Sequence, residues 1–289
     1  MKESVHNTLP KDNWPERLLE IPQPPEKLYI RGTMPKWDEG KFLCVVGARK
    51  YSTYGKEVCE MLIESLRGKN VTIVSGLALG IDGIAHRTAL SAGLKTVAVP
   101  GSGLDPKVLY PASHARLAEE IVNAGGALLS EFEPNFRATV WSFPQRNRIM
   151  AGLSHAVLII EAEKKSGTLI TARLATEYNR DVLTIPGNIF SKNSEGPHLL
   201  IRLGATPITT GGELSQALGF KEETQTKLAL DYSDCSPEEK LVIDILIEPK
   251  PRDQVIRELA KPIGEANTIL SIMEIKGLIT ESMGELHLA

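Results

Sequence analysis

Between residues 41 and 210 the chain alternates short, continuously apolar, β-branched runs with longer segments whose apolar residues recur at helical spacing. The runs are FLCVV (42–46), VTIVS (71–75), TVAVP (96–100), ALLSEF (127–132), AVLIIEA (156–162), DVLTIP (181–186) and TPITT (206–210). A strand covered on both faces requires continuous rather than alternating hydrophobicity, so each run predicts a buried parallel strand. Intervening segments such as GKEVCEMLIESLRGKN (55–70) and SHARLAEEIVNAGG (113–126) carry glycine near the end, where a helix C-cap belongs. The alternation predicts an α/β fold with a Rossmann-like, doubly wound and mostly parallel sheet.

The pattern changes on both sides of this region. Residues 14–40 are proline-rich and aperiodic, which predicts an N-terminal extension (1–40) that runs across the surface of a core domain (41–220) and packs on it. KEETQTKLALDYSD is polar and reads as a linker over 221–234. Residues 235–289 regain periodicity. SPEEKLVIDILIE opens on a Ser-x-x-Glu capping box and predicts a helix, PRDQVIRELA a second and EANTILSIMEIKG a third. LITESMGELHLA predicts two short strands around Met283-Gly284. Three helices and a hairpin, in that order, predict a winged-helix-like small domain.

Composition narrows the picture only slightly. A chain of 289 residues, 42% apolar and 24% charged with net charge −3, describes an ordinary globular protein. The mild acidity argues against a surface that coats nucleic acid but leaves room for a local basic groove, since charge placement sets the field that steers a polyanion. Cys44, Cys59 and Cys235 are odd in number and widely spaced, which supports neither a disulfide framework nor a zinc site. No window approaches the ~20 apolar residues of a membrane span, and the first residues lack a signal-peptide core. The expectation is a soluble, cytoplasmic protein without metal or cofactor.

Ligands of an open parallel sheet collect at the carboxyl ends of its strands. The turns there are GARKYSTYG (47–55), SGLALGID (75–82), PGSGLD (100–105), EAEKKSGTLITA (161–172) and PGN (186–188). Glycines, small hydroxyls and a few cations dominate them, a composition that lets backbone amides approach an anion. Gly47 permits a tight turn, and Arg49 either offers forked donors to a phosphate or pairs with a carboxylate such as Asp82 or Glu131. Gly76 and Gly80 bracket the second turn, where free amides of the next helix could seat an anion and Asp82 is a candidate N-cap. His86 lies one turn beyond Asp82, but no nucleophile completes a catalytic group. In WSFPQRNRIMAGLS (141–154), Arg146 and Arg148 flank Asn147 close to Phe143. Charge beside a ring face suits a single strand of nucleic acid, and ion pairs at a helix start account for the same arginines. Lys164, Lys165, Ser166, Gly167 and Thr168 bring cations, hydroxyls and amides to one point. Neither GxGxxG nor a Walker A order is present, so the turns favour a binder of phosphate backbone over a phosphate-transfer enzyme.

Taken together, VVGARKYSTYG, VSGLALGIDGIAH, VPGSGLD, LLSEF, FPQRNRIMAGLS, EAEKKSGTLITAR, TIPGN and IRLGA resemble the bacterial DNA-processing protein A family (DprA, also called Smf) over about residues 14–220. The resemblance implies a dimeric, non-enzymatic Rossmann-like protein that binds and protects single-stranded DNA and helps load RecA onto it during natural transformation. The DNA contacts it implies are Arg49 in the Gly47 turn, Arg146, Asn147 and Arg148, and Lys165 with Lys164, Ser166, Gly167 and Thr168. It further implies the glycine turns at Gly76, Gly80 and Gly101. Many members carry a basic residue where this chain has Leu79, which removes one phosphate contact.

Two other function classes remain in view. A Rossmann-like phosphoribohydrolase would need a PGGxGT-type turn followed by glutamate. Here PGSG (100–103) continues as LDPKVLYP, and SGT (166–168) lacks the preceding PG. A transcriptional regulator would need a basic recognition helix. EANTILSIMEIKG carries Lys276 against Glu265 and Glu274, which favours a protein contact or weak nucleic-acid role for the small domain.

Overall fold

The computed structural model describes residues 7–220, 235–282 and 284–288. The chain divides into two compact units, Met1–Lys221 and Glu222–Ala289. The first opens with β1 (Asn7–Thr8), α1 (Glu16–Leu19), β2 (Tyr29–Gly32), β3 (Lys41–Val46), α2 (Thr53–Glu64), β4 (Val71–Ser75), α3 (Ile81–Ser91) and β5 (Lys95–Ala98). It continues with α4 (Ala115–Asn123), β6 (Ala127–Ser130), α5 (Ser142–Leu153), β7 (Ala156–Ile159), α6 (Thr168–Glu177), β8 (Asp181–Thr184), α7 (Glu195–Arg202), β9 (Thr206–Pro207) and α8 (Gly211–Ala217).

Nine strands form one sheet in the order β1-β2-β6-β5-β4-β3-β7-β8-β9. Pairings from β6 across to β9 are parallel, whereas β2 joins β6, and β1 joins β2, antiparallel. The strand order reverses at β3, with β4 to β6 on one side and β7 to β9 on the other. Both faces of the sheet are covered, which explains the continuous apolar runs. Phe42, Cys44 and Val46 of β3 enter a core shared with Ile149 of α5 and Ala172 of α6. Leu43 and Val45 enter a second core with Leu62 of α2 and Ala85 of α3. Strand twist and topology thus leave a crevice outside the carboxyl ends of β3 and β7, where the chain changes direction of winding.

The stretch 14–40 contributes a strand to the sheet that its aperiodic sequence did not predict. Its residues 29–32 form β2, in register from Tyr29 opposite Ser130 to Gly32 opposite Ala127. Trp14, Leu18, Ile21, Leu28 and Ile30 are buried in the main core. Four residues containing an arginine and a glycine show no usable period, but Arg31 leaves the sheet to pair with Glu119. The strand at 127–132 stops at Ser130, and that at 206–210 shrinks to Thr206–Pro207.

The second unit consists of α9 (Pro237–Ile245), β10 (Lys250–Pro251), α10 (Arg252–Glu258), α11 (Ile263–Ile275), β11 (Ile279–Ser282) and β12 (Glu285–Leu288), with strand order β10-β12-β11. The capping box forms: Glu239 N–H donates to Ser236 Oγ, and Ser236 N–H donates to the Glu239 carboxylate. Helix α11 starts at Ile263, two residues before the expected Glu265, and β10 has no counterpart in the periodicity. The expected linker 221–234 and Met283 of the expected turn lie outside the described residues. Among the described residues no helix is long and apolar enough to cross a membrane.

Candidate functional site

Three turns converge on the crevice: the one after β3, the one after β4 and the one after β7. With the first half of α5 they enclose a cavity of about 620 Å³. Of the residues picked out by their sequence, Gly47, Arg49, Arg146, Asn147, Lys165, Ser166, Gly167 and Thr168 line it. Arg148, Lys164, Gly76, Gly80 and Gly101 do not. Lining cations (Arg49, Lys50, Arg146, Lys165) outnumber lining acids (Asp82, Glu163), so the local field favours an anion although the whole chain is mildly acidic.

The cations differ in what they can do. Arg49 and Lys165 are exposed, and neither pairs with a carboxylate among the described residues. The Arg49 guanidinium sits 5.4 Å from the centroid of the Phe143 ring, a cation–π contact that leaves its donors free. Of the two roles open to Arg49 in the sequence, the ion pair with Asp82 or Glu131 is therefore not formed. Glu131 belongs to Arg148, whose Nη2 lies 2.5 Å from Glu131 Oε2 with both side chains largely buried. This ion pair occupies Arg148 and removes it from the lining.

Arg146 lines the cavity from below, as a buried side chain rather than an exposed one. Its Nη1 donates to the Gly76 carbonyl at 2.6 Å and to the Val99 carbonyl, tying the ends of β4 and β5 together. Burial lowers its pKa, and the Asp82 carboxylate acts against that shift. Gly76 is required underneath, since a Cβ there would lie 2.2 Å from Arg146 Nη1. Arg146 thus forms the floor, and Asn147 stands beside it in the lining.

The helix starts behind the turns are used by the chain itself. Ile81 N–H of α3 donates to the Ala48 carbonyl at 3.2 Å. Gly80, at φ +84°, brings its backbone so close that a Cβ would stand 2.3 Å from that same carbonyl oxygen. Asp82 is not the cap of α3; its carboxylate accepts from Gly76 N–H and Ala78 N–H of the preceding turn. At α6, Thr168 N–H donates to Ser166 Oγ at 3.1 Å, Ser166 Oγ donates to Thr168 Oγ1, and Thr168 Oγ1 donates to the Gly47 carbonyl. The expected free amides at Gly80 and at 166–168 are therefore largely taken. His86 does not join Asp82: its Nδ1 meets Thr96 Oγ1 at 2.7 Å, and burial lowers its pKa to about 3. Among the described residues no group of three or more His, Cys, Asp or Glu side chains is placed to hold a metal.

Two residues not singled out in the sequence shape the site. Glu161, buried at the end of β7, accepts from Ser52 N–H, from Ser52 Oγ at 2.5 Å and from Asn193 Nδ2. Asn193, which lines the cavity, also donates to the Lys50 carbonyl at 3.1 Å. Together they fix the turn that carries Arg49. A carboxylate closing an apolar strand run was the signal available for Glu161; nothing local marks Asn193.

The family model for DNA recombination-mediator protein A matches residues 6–219. Protein Smf of Escherichia coli (strain K12) is 36% identical, over 98% of this chain and 78% of its own length. The DNA processing protein DprA of Streptococcus pneumoniae is 43% identical over 72% of each chain. The X-ray structure of DNA processing protein A from Streptococcus pneumoniae aligns with a TM-score of 0.68 at 38% identity, covering 74% of each chain. A structure of Helicobacter pylori DNA processing protein A, described for a unique single-stranded DNA binding mode, aligns with a TM-score of 0.67 at 32% identity over 75% of this chain and 96% of that one.

Proposed function

This chain belongs to the DNA recombination-mediator protein A family, a family of recombination mediators rather than enzymes, and from that membership we propose that it binds single-stranded DNA in the crevice between β3 and β7. The observation that carries this reading is the pair of exposed, carboxylate-free cations, Arg49 and Lys165, facing one cavity beside the Phe143 ring. Cations grip successive phosphates and a ring face accepts a base, without any need for a particular sequence. Arg146 contributes by holding the floor, and Arg148 by its pair with Glu131. The bound strand is protected and passed to RecA by a homodimer acting in the cytoplasm. The winged-helix-like unit serves a protein contact, since residues 235–289 carry ten acidic against six basic side chains.

The test is fluorescence anisotropy of a labelled oligothymidine and a matched duplex over a salt series. Preference for the single strand with a steep salt dependence is expected. Arg49→Ala and Lys165→Ala should each flatten the log–log slope by about 0.7, the share of one phosphate contact on a single strand, while thermal stability stays within experimental error. Salt-insensitive binding, or binding lost only in step with folding, would refute the assignment.

A further inference from the structure

Beyond the cavity lies a ring that the fold does not use. Arg49 rests on Phe143 at 5.4 Å, and Phe143 in turn meets the Tyr110 ring at 5.5 Å between centroids, tilted by 53°. Tyr110 is 45% exposed, and its hydroxyl makes no hydrogen bond among the described residues. Its backbone is held, because Tyr110 N–H donates to the buried Ser102 Oγ at 3.2 Å. Phe143 is held as well, lying in the space left by Gly101, where a Cβ would stand 2.6 Å from the ring. The Lys107 ammonium, exposed in the same loop, pairs with no carboxylate among the described residues. Trp141, also exposed, packs instead against Phe132 and Phe136 at 5.7 and 5.5 Å.

We propose that Tyr110 is a base-stacking residue and that the strand leaves the cavity over Phe143 and continues onto the Tyr110 ring. The row Arg49, Phe143, Tyr110 then forms one platform, with phosphates gripped at its inner end and a base held at its outer end. This assignment rests on the cavity being a single-strand site. A ring anchored through its backbone, tilted against another ring and with nearly half of its surface in solvent, is preorganised for stacking and costs little to order on binding. Its ligand is a strand that carries bases; a bare sugar-phosphate chain gains nothing from it. Because stacking involves no counterion, it leaves the salt slope unchanged.

The experiment uses the full chain with two labelled probes of equal length, an oligothymidine and an abasic strand built from tetrahydrofuran nucleotides. Tyr110→Ala should weaken oligothymidine binding about 5- to 150-fold, the range that base–aromatic stacking supplies, with no change in salt slope. Tyr110→Phe should restore it, Tyr110→Leu should not, and abasic-strand binding should be the same in all of them. Equal losses on both probes, or a full-strength Tyr110→Leu variant, would overturn the proposal. Lys165→Ala separates the two readings, since it should weaken both probes alike. If neither probe responds to Lys165→Ala, the cavity is not the strand site and the Tyr110 assignment falls with it.

Discussion

Replacing Arg146 by alanine should destabilise the molecule rather than merely loosen its hold on DNA. The side chain is 5% exposed and donates from Nη1 to the Gly76 and Val99 carbonyls, with the buried Asp82 carboxylate as its counter-charge. Truncation leaves two strand-end carbonyls without this donor and Asp82 without its cation. A hydrogen bond to a charged group is worth about 1.5–3 kcal/mol, and a buried charge deprived of its partner costs about 3–5 kcal/mol. The two figures describe overlapping effects, so the expected loss is about 3–5 kcal/mol, against a total of about 5–15 kcal/mol for a typical domain. Gly76→Ala should reach the same end from the other side, because its methyl group would stand 2.2 Å from Nη1 and must dislodge the guanidinium.

The assay is urea unfolding followed by tryptophan fluorescence, which reports the first unit because Trp14, Trp37 and Trp141 all lie there. The Arg146→Ala, Gly76→Ala double variant should lose much less than the sum of the two, since both act on one contact. A variant that keeps its stability within about 0.5 kcal/mol, as a surface substitution does, while flattening the salt slope of DNA binding, would refute the reasoning and make Arg146 a direct phosphate ligand.

Two further outcomes follow from the same geometry. Leu79 is 46% exposed in the turn after β4, so Leu79→Lys should steepen the salt slope by about 0.7 without altering the melting temperature; an unchanged slope would place Leu79 off the strand path. His86 is fully buried, and burial, reinforced by nearby cationic groups, lowers its pKa from 6.5 to about 3. Between those values the unfolded chain takes up a proton that the folded chain refuses, so this residue makes stability fall as pH drops from about 6.5, levelling near 3. The contribution is at most about 1.4 kcal/mol per pH unit. His86→Gln should remove it, and parallel stability curves for wild type and variant between pH 7 and 5 would contradict the assignment.

How much of this was legible in the sequence depended on whether one face or two had to be covered. The seven strand runs were visible because neighbouring residues such as Cys44 and Val45 each meet a core, one on either side of the sheet. Strand β2 was not, because its partner β6 is about 100 residues away and its four residues include Arg31, whose charge is answered by Glu119 on α4. At the site, the turns themselves were legible as glycine and hydroxyl clusters at strand ends. Which arginine would be free was not. Arg146 and Arg148 stand two residues apart on α5, hence about 200° apart around it. One turns under the crevice toward β4 and β5 while the other turns to Glu131. Local composition treats them as a pair; only the packing of the whole helix separates them.

The same separation bears on the proposal that the crevice takes a strand rather than a mononucleotide. A site built to cradle one phosphate relies on unsatisfied amides at a helix start. Here Ser52 caps α2 through Gly55 N–H, Ala48 carbonyl takes the first amide of α3, and Ser166 takes the first amide of α6. Arg146 commits its Nη1 to backbone carbonyls, and its charge is offset by Asp82. The attraction left over comes from Arg49, Lys50 and Lys165, long side chains at the rim whose positions follow a ligand rather than enclose it. Such cations bind by displacing counterions along an extended polyanion, and they acquire no fixed geometry around a single leaving group. An enzyme of phosphate transfer needs that fixed geometry in advance. A mediator that must later release its strand is better served by rim cations and ring faces, each contributing a modest, separable share of the grip.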